Sequence, residues 1–118
     1  MPSNFRRDLT RGSLDLMVLS VLAGGSKYGY LIQKEIREAS QGRVDMLAGT
    51  LYPILHRMEA DHLIKSRWDE GSGRSRKWYE ITASGCACLQ EQVAEWTEFS
   101  GCVERLIQLV RSSVPGTA

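Results

Sequence analysis

Apolar residues recur at helical spacing in three successive stretches, switch to a strand-like alternation, and then return to helical spacing for the rest of the chain. Residues 13–23 place Leu14, Met17, Val18, Val21 and Leu22 on one helical face, which Gly24-Gly25 stops. A second helix is predicted from about Lys27 to Ser40. Tyr28, Leu31, Ile32, Ile36 and Ala39 lie on its apolar side and Gln33, Lys34, Arg37 and Glu38 on its polar side. Gln41-Gly42 punctuates its end, and residues 43–48 connect to a third helix. That helix buries Leu51, Ile54, Leu55 and Met58. With Thr50 as N-cap, Pro53 falls in the first turn, where its missing N–H has no intrahelical partner. The helix then ends near Asp61-His62.

From Leu63 the period changes. Ile64–Trp68 and Arg76–Ile81 are β-prone runs joined by the Gly71-Ser72-Gly73 tip, a hairpin with Ile64, Tyr79 and Ile81 toward the helices. Trp68 and Trp78 are expected to pack against each other across its strands. A final helix, about Ala83 to Arg111, carries Cys86, Leu89, Val93, Trp96, Ser100, Val103, Ile107 and Val110 at alternating steps of three and four. Phe99 and Leu106 form a second stripe beside it. Two stripes over that length exceed what three short helices can cover, so symmetric dimerisation through this helix is expected. The tail after it, with Pro115-Gly116, is expected to fray.

The order predicts a mainly α chain with a small β-hairpin (α+β): a winged helix-turn-helix over residues 1–82, then a dimerisation helix and tail over residues 83–118. There are no internal repeats.

Charge sharpens this division. The chain of 118 residues has a formal net charge of +1, but residues 1–82 carry 13 Lys/Arg against 10 Asp/Glu, and residues 83–118 carry 2 against 4. The basic excess therefore sits with the hairpin and short helices. No apolar run approaches the ~18 residues that cross a bilayer, and the N-terminus lacks the apolar core of a secretory signal. A cytoplasmic protein without membrane contact is expected.

Catalytic and metal chemistry find little to use. There is no Gly-rich phosphate loop and no His-Glu-x-x-His, and His56 and His62 are offset around a helix. Glu91, Glu95 and Glu98 read as a solvated acidic face. Cys86 and Cys88 project about 200° apart on a helix and do not share a metal readily; with Cys102 they read as small apolar fillers in a reducing compartment. No enzyme activity, cofactor or metal is expected.

Nucleic acid fits better. With its apolar face buried, the third helix presents Thr50, Tyr52, Pro53, His56, Arg57 and Ala60, and its N-terminal turn offers free N–H groups to a phosphate. The hairpin crowds Lys65, Arg67, Arg74, Arg76 and Lys77 beside Trp68 and Trp78, with Gly71 and Gly73 allowing close approach to a sugar-phosphate chain. The competing reading is a winged-helix module that uses the same surface to bind protein.

Three motifs carry a family resemblance: Tyr28-Gly29-Tyr30, the run Gly49-Thr50-Leu51-Tyr52-Pro53-x-Leu55-x-Arg57-Met58-Glu59, and Arg74-x-Arg76-Lys77-Trp78-Tyr79-x-Ile81-Thr82-x-x-Gly85. Over roughly residues 12–107 the chain resembles the PadR family of bacterial transcriptional regulators. The resemblance implies a homodimeric winged-helix repressor on an inverted-repeat operator, in a short form with one C-terminal dimerisation helix. It implies DNA contacts from Thr50 and Tyr52, bracing or backbone contact from Tyr28, and phosphate or minor-groove contacts from Arg74, Arg76 and Lys77. Two departures stand out. His62 stands where a helix-ending Gly is usual, a left-handed position that costs ~1 kcal/mol. Met46-Leu47-Ala48 also lacks the usual cap before the third helix. Some short relatives hold flat aromatic compounds between tryptophans in the dimer pore. Trp96, with Phe99 and Val93 near, occupies the similar place, either as a sandwich for a small aromatic effector or as a large dimer-core side chain.

Overall fold

The computed structural model describes the backbone of residues 2–71 and 75–113 and the side chains of residues 12–71 and 75–113. Seven elements follow in order: α1 (Pro2–Ala23), β1 (Lys27–Tyr28), α2 (Gly29–Ala39), α3 (Ala48–Ala60), β2 (Ile64–Asp69), β3 (Arg76–Ile81) and α4 (Ala83–Ser113). The tail with Pro115-Gly116 lies outside the described residues.

The core is the set of apolar faces read from the sequence, closed against one another. Val18, Leu19 and Leu22 of α1 meet Ile32 and Ile36 of α2, Leu51, Ile54, Leu55 and Met58 of α3, and Ile64 and Tyr79 of the hairpin. Each fully buried Leu or Ile contributes about 2 kcal/mol by leaving water. Leu19 lies off the face predicted for α1. It is buried because α1 packs against α2 and β3 on one side and α4 on another, which widens its apolar arc beyond a single stripe. The helix also begins at Pro2, eleven residues before the predicted start (13 − 2 = 11).

Two boundaries differ from expectation. Lys27 and Tyr28 are not the first turn of α2. They form a short strand antiparallel to β3, Lys27 opposite Tyr79 and Tyr28 opposite Trp78, so the sheet has three strands in the order β1-β3-β2. Lys27 also donates from Nζ to the Val21 and Gly25 carbonyls at 3.1 and 3.3 Å, a cation on the C-terminal end of α1. The second difference is the start of α3. The Leu47 carbonyl accepts from both the Thr50 and Leu51 N–H, at 3.0 and 2.9 Å, so Leu47 is the N-cap and Thr50 is already inside the helix. Buried Met46, whose carbonyl accepts from Gln33 Nε2 at 2.9 Å, fixes the chain just before it. Pro53 therefore lies beyond the first turn and has no N–H to give the Gly49 carbonyl.

The end of α3 is as read. His62 adopts φ 61°, its N–H bonds the Glu59 carbonyl at 3.0 Å, and the Leu63 N–H bonds the Met58 carbonyl at 2.9 Å. This paired closure satisfies the last carbonyls and turns the chain into β2. The other joint is Thr82. Its hydroxyl donates to the His62 carbonyl at 2.7 Å and accepts the Gly85 N–H at 3.0 Å, capping α4. A Cβ at Gly85 would overlap the Leu63 carbonyl, which explains glycine in Thr82-x-x-Gly85.

Candidate nucleic-acid interface

With Leu51, Ile54, Leu55 and Met58 turned inward, α3 leaves Gly49, Thr50, Tyr52, Pro53, His56 and Ala60 exposed. Tyr52 leans to one flank, toward the start of α2. A Cβ at Gly29 would overlap the Tyr52 hydroxyl, so glycine at the first position of α2 is what lets the ring lie there. Tyr79 stands behind it. Burial, then the neighbouring Tyr52 and Glu59, hold its phenol above the ordinary value of 10.0, so it stays neutral at physiological pH.

Arg57 does not join this surface as the sequence suggested. It sits on the opposite flank of α3 and pairs with Asp15 of α1 at 2.5 Å, with both side chains partly buried. Its charge is spent inside the molecule because the helical step from His56 carries it around to α1. The structure thus removes Arg57 from the exposed set.

The hairpin stands beside α3 and is tied to it by Glu59, which accepts a hydrogen bond from the Ser66 hydroxyl and pairs with Lys77 at 3.7 Å. Arg76 lies over the Tyr28 ring at 4.5 Å, and Tyr28 meets Trp78 edge-on at 5.1 Å. Tyr28 therefore braces the wing through its ring, from β1 rather than from a helix. The register sets Trp68 opposite Lys77 and Trp78 opposite Arg67. With side chains alternating along a strand, the two tryptophans lie on opposite faces of the sheet and are not packing partners. Lys65 pairs with Glu80 at 3.2 Å, and Arg67 lies over Trp78 at 5.8 Å. Arg74 lies outside the described residues.

Between wing and helix is an open groove of about 480 Å³. Tyr28, Tyr52, Arg76 and Lys77 all line it, together with His56 and Trp68, so four of the residues singled out in the sequence come together in one place. Thr50 lies on α3 outside that lining. Tyr30 and Trp68 are both exposed in the groove, although the sequence points to no contact for Tyr30 and to Trp78 as the packing partner of Trp68. The signal that could have found Trp68 is the strand alternation, which sets it on the helix side with Ser66.

At the other end of the molecule, α4 leaves the core after its first turns. Gly85 is buried and Cys88 and Leu89 pack against the core, whereas Val93, Trp96, Phe99, Val103, Leu106 and Val110 are exposed. Trp96, Phe99, Val103, Leu106 and Val110 continue one arc of the helix, so the two expected stripes merge. Trp96 and Phe99 border an open recess of about 310 Å³ against Gly12, Ser13 and Leu16 of α1. Val93 is turned about a third of a turn away from it and does not line it. Of the cysteines only Cys88 packs inward; Cys86 and Cys102 are exposed, so the filler reading fails for those two.

Among the described residues no three His, Cys, Asp or Glu side chains gather where a metal ion could sit. No helix among them is long and apolar enough to cross a membrane.

Residues 18–91 match the model of the transcriptional regulator PadR-like family. A transcriptional regulator of Mycobacterium tuberculosis is 35% identical over 85 residues, 72% of this chain and 77% of that protein. A solved transcriptional regulator from Clostridium thermocellum superposes with a TM-score of 0.77 at 32% identity, covering 83% of this chain and 96% of the other. A PadR family transcriptional regulator from Eggerthella lenta gives 0.75 at 34% identity, covering 89% and 90%. The family match runs from within α1 into the early turns of α4 and takes in the winged helix and its groove, so the chain belongs to the PadR-like family of transcriptional regulators, which is not a family of enzymes.

Proposed function

We propose that the chain is a homodimeric, sequence-specific DNA-binding repressor of the cytoplasm that reads an inverted-repeat operator. Residues 1–82 read DNA and residues 83–118 join two copies. The observation that carries the reading is the groove between α3 and the wing, where Arg76 and Lys77 flank the exposed surface of a helix sized for a major groove. Thr50 and Tyr52 contact DNA from α3; Tyr28 acts by bracing Arg76; Arg74, Arg76 and Lys77 meet phosphates or the minor groove. The exposed apolar arc of α4 supports two-fold pairing, with Val93, Trp96, Val103, Ile107 and Val110 along the seam and Leu89, packed against the chain's own core, at its inner end. A planar aromatic effector fits the recess of Trp96 and Phe99, two rings that can stack on a third.

The test is a salt series. Arg76→Ala with Lys77→Ala should weaken binding to duplexes from the region upstream of its own coding sequence. It should also lower the slope of log affinity against log salt by about 0.9 for each lost phosphate contact. Unchanged affinity and slope would remove the wing from the interface and favour a protein partner for the groove.

A further inference from the structure

Trp68 is 62% exposed, while the hairpin's other tryptophan is engaged by Tyr28 and Arg67. It lies opposite Lys77, and it shares a sheet face with Ser66, whose hydroxyl bonds Glu59 of α3. The indole therefore overhangs the groove from the side that faces α3. Tyr30 of α2 and Tyr52 of α3 line the same groove, and Arg76 and Lys77 line it too. Aromatic rings from five separate elements, counting Tyr28 of β1 and Tyr79 of β3, and two cations thus share one open space.

We propose that Trp68 lays its ring against the deoxyribose of one strand of duplex DNA, while Arg76 and Lys77 hold the flanking phosphates. The inference rests on the DNA-binding reading above. A nucleic-acid backbone alternates anionic phosphates with the apolar C–H faces of its sugars, and the groove sets cations beside aromatic faces in the same way. An anionic peptide would use the cations and leave the exposed indole in water. Contact with a sugar releases no counterion and reads no base. Its signature is a loss of affinity that is the same on every duplex and leaves the salt slope intact.

The experiment titrates the whole protein, across a salt series, against duplexes from the region upstream of its own coding sequence and against one separated strand. Trp68→Ala should weaken duplex binding about tenfold, the scale of covering roughly 55 Å² of apolar indole surface with a sugar, with the wild-type slope and an unchanged thermal melt. Trp68→Phe should recover most of the affinity, and the change in tryptophan emission on adding duplex should be smaller than in the wild type, with only Trp78 and Trp96 left to report it. If Trp68→Ala binds like wild type while Arg76→Ala with Lys77→Ala loses affinity and slope, the Trp68 assignment alone is overturned. A wild-type protein that binds no duplex overturns both readings. A loss confined to the single strand points to base stacking and also overturns the sugar contact.

Discussion

The groove beside α3 and the exposed arc of α4 are both open surfaces, yet their side chains are held in opposite ways. Around the groove the charges already have partners within the chain: Lys77 pairs with Glu59, and Arg76 lies on the Tyr28 ring. Along α4, Trp96, Phe99, Val103, Leu106 and Val110 project into water. A charge can be steadied by one neighbour and still be offered to a ligand. An apolar side chain gains only when more apolar surface covers it. One chain can therefore complete the first surface by itself, and a second body is needed to complete the other.

The largest expected effect tests the unfinished side. Val103→Asp or Ile107→Asp would set like charges face to face at a two-fold seam, at a cost of about 3–5 kcal/mol. Sedimentation should then show monomers at micromolar concentration. A profile that stays dimeric would mean that the arc is covered in some other way, and the contrast would break.

A smaller effect tests how tightly the groove is built. Gly29→Ala drives a methyl into the Tyr52 hydroxyl and should lower stability by about 1–3 kcal/mol in denaturant melts. Adding Tyr52→Phe should recover part of it, because the hydroxyl is the nearest atom. Equal melting of single and double variants would contradict a close-packed joint.

The smallest concerns Arg57. Its pair with Asp15 is partly exposed, so Asp15→Asn should cost about 1 kcal/mol or less. With its charge engaged inside, Arg57→Ala should leave the salt slope for DNA unchanged, unlike the wing variants. A slope lowered by Arg57→Ala would return that residue to the interface.

Much of this is legible in the amino-acid sequence alone. The faces of α2 and α3 and the hairpin follow from periodicity, because each has one side toward a single core; α4 keeps helical spacing well past the point where it leaves that core. The difficulties began where partners are distant. β1 is two residues long and pairs with residues near 79, so nothing local marks it as a strand. Tyr28 fitted a helical face only because two-residue strands have no period of their own. Thr50 looked like an N-cap since threonine caps well, but buried Met46 pulled the start of α3 back to Leu47. Arg57 looked free because its neighbour Asp15 is 42 residues away. The sequence points to Tyr28, Tyr52, Arg76 and Lys77 of the groove, but not to the bonds among them.

The length of α4 has a mechanical consequence. Its 31 residues form an arm about 46 Å long. In a dimer paired about the middle of the proposed seam, about 25 Å along that arm, a rotation of about 8° swings the reading head by about 3.5 Å, the ~3.4 Å rise of one base pair. The recess of Trp96 and Phe99 lies along this arm and touches α1, which also carries Asp15. On the proposed function, a compound seated there would have only to change an angle to put the two heads out of step with the turn of the double helix.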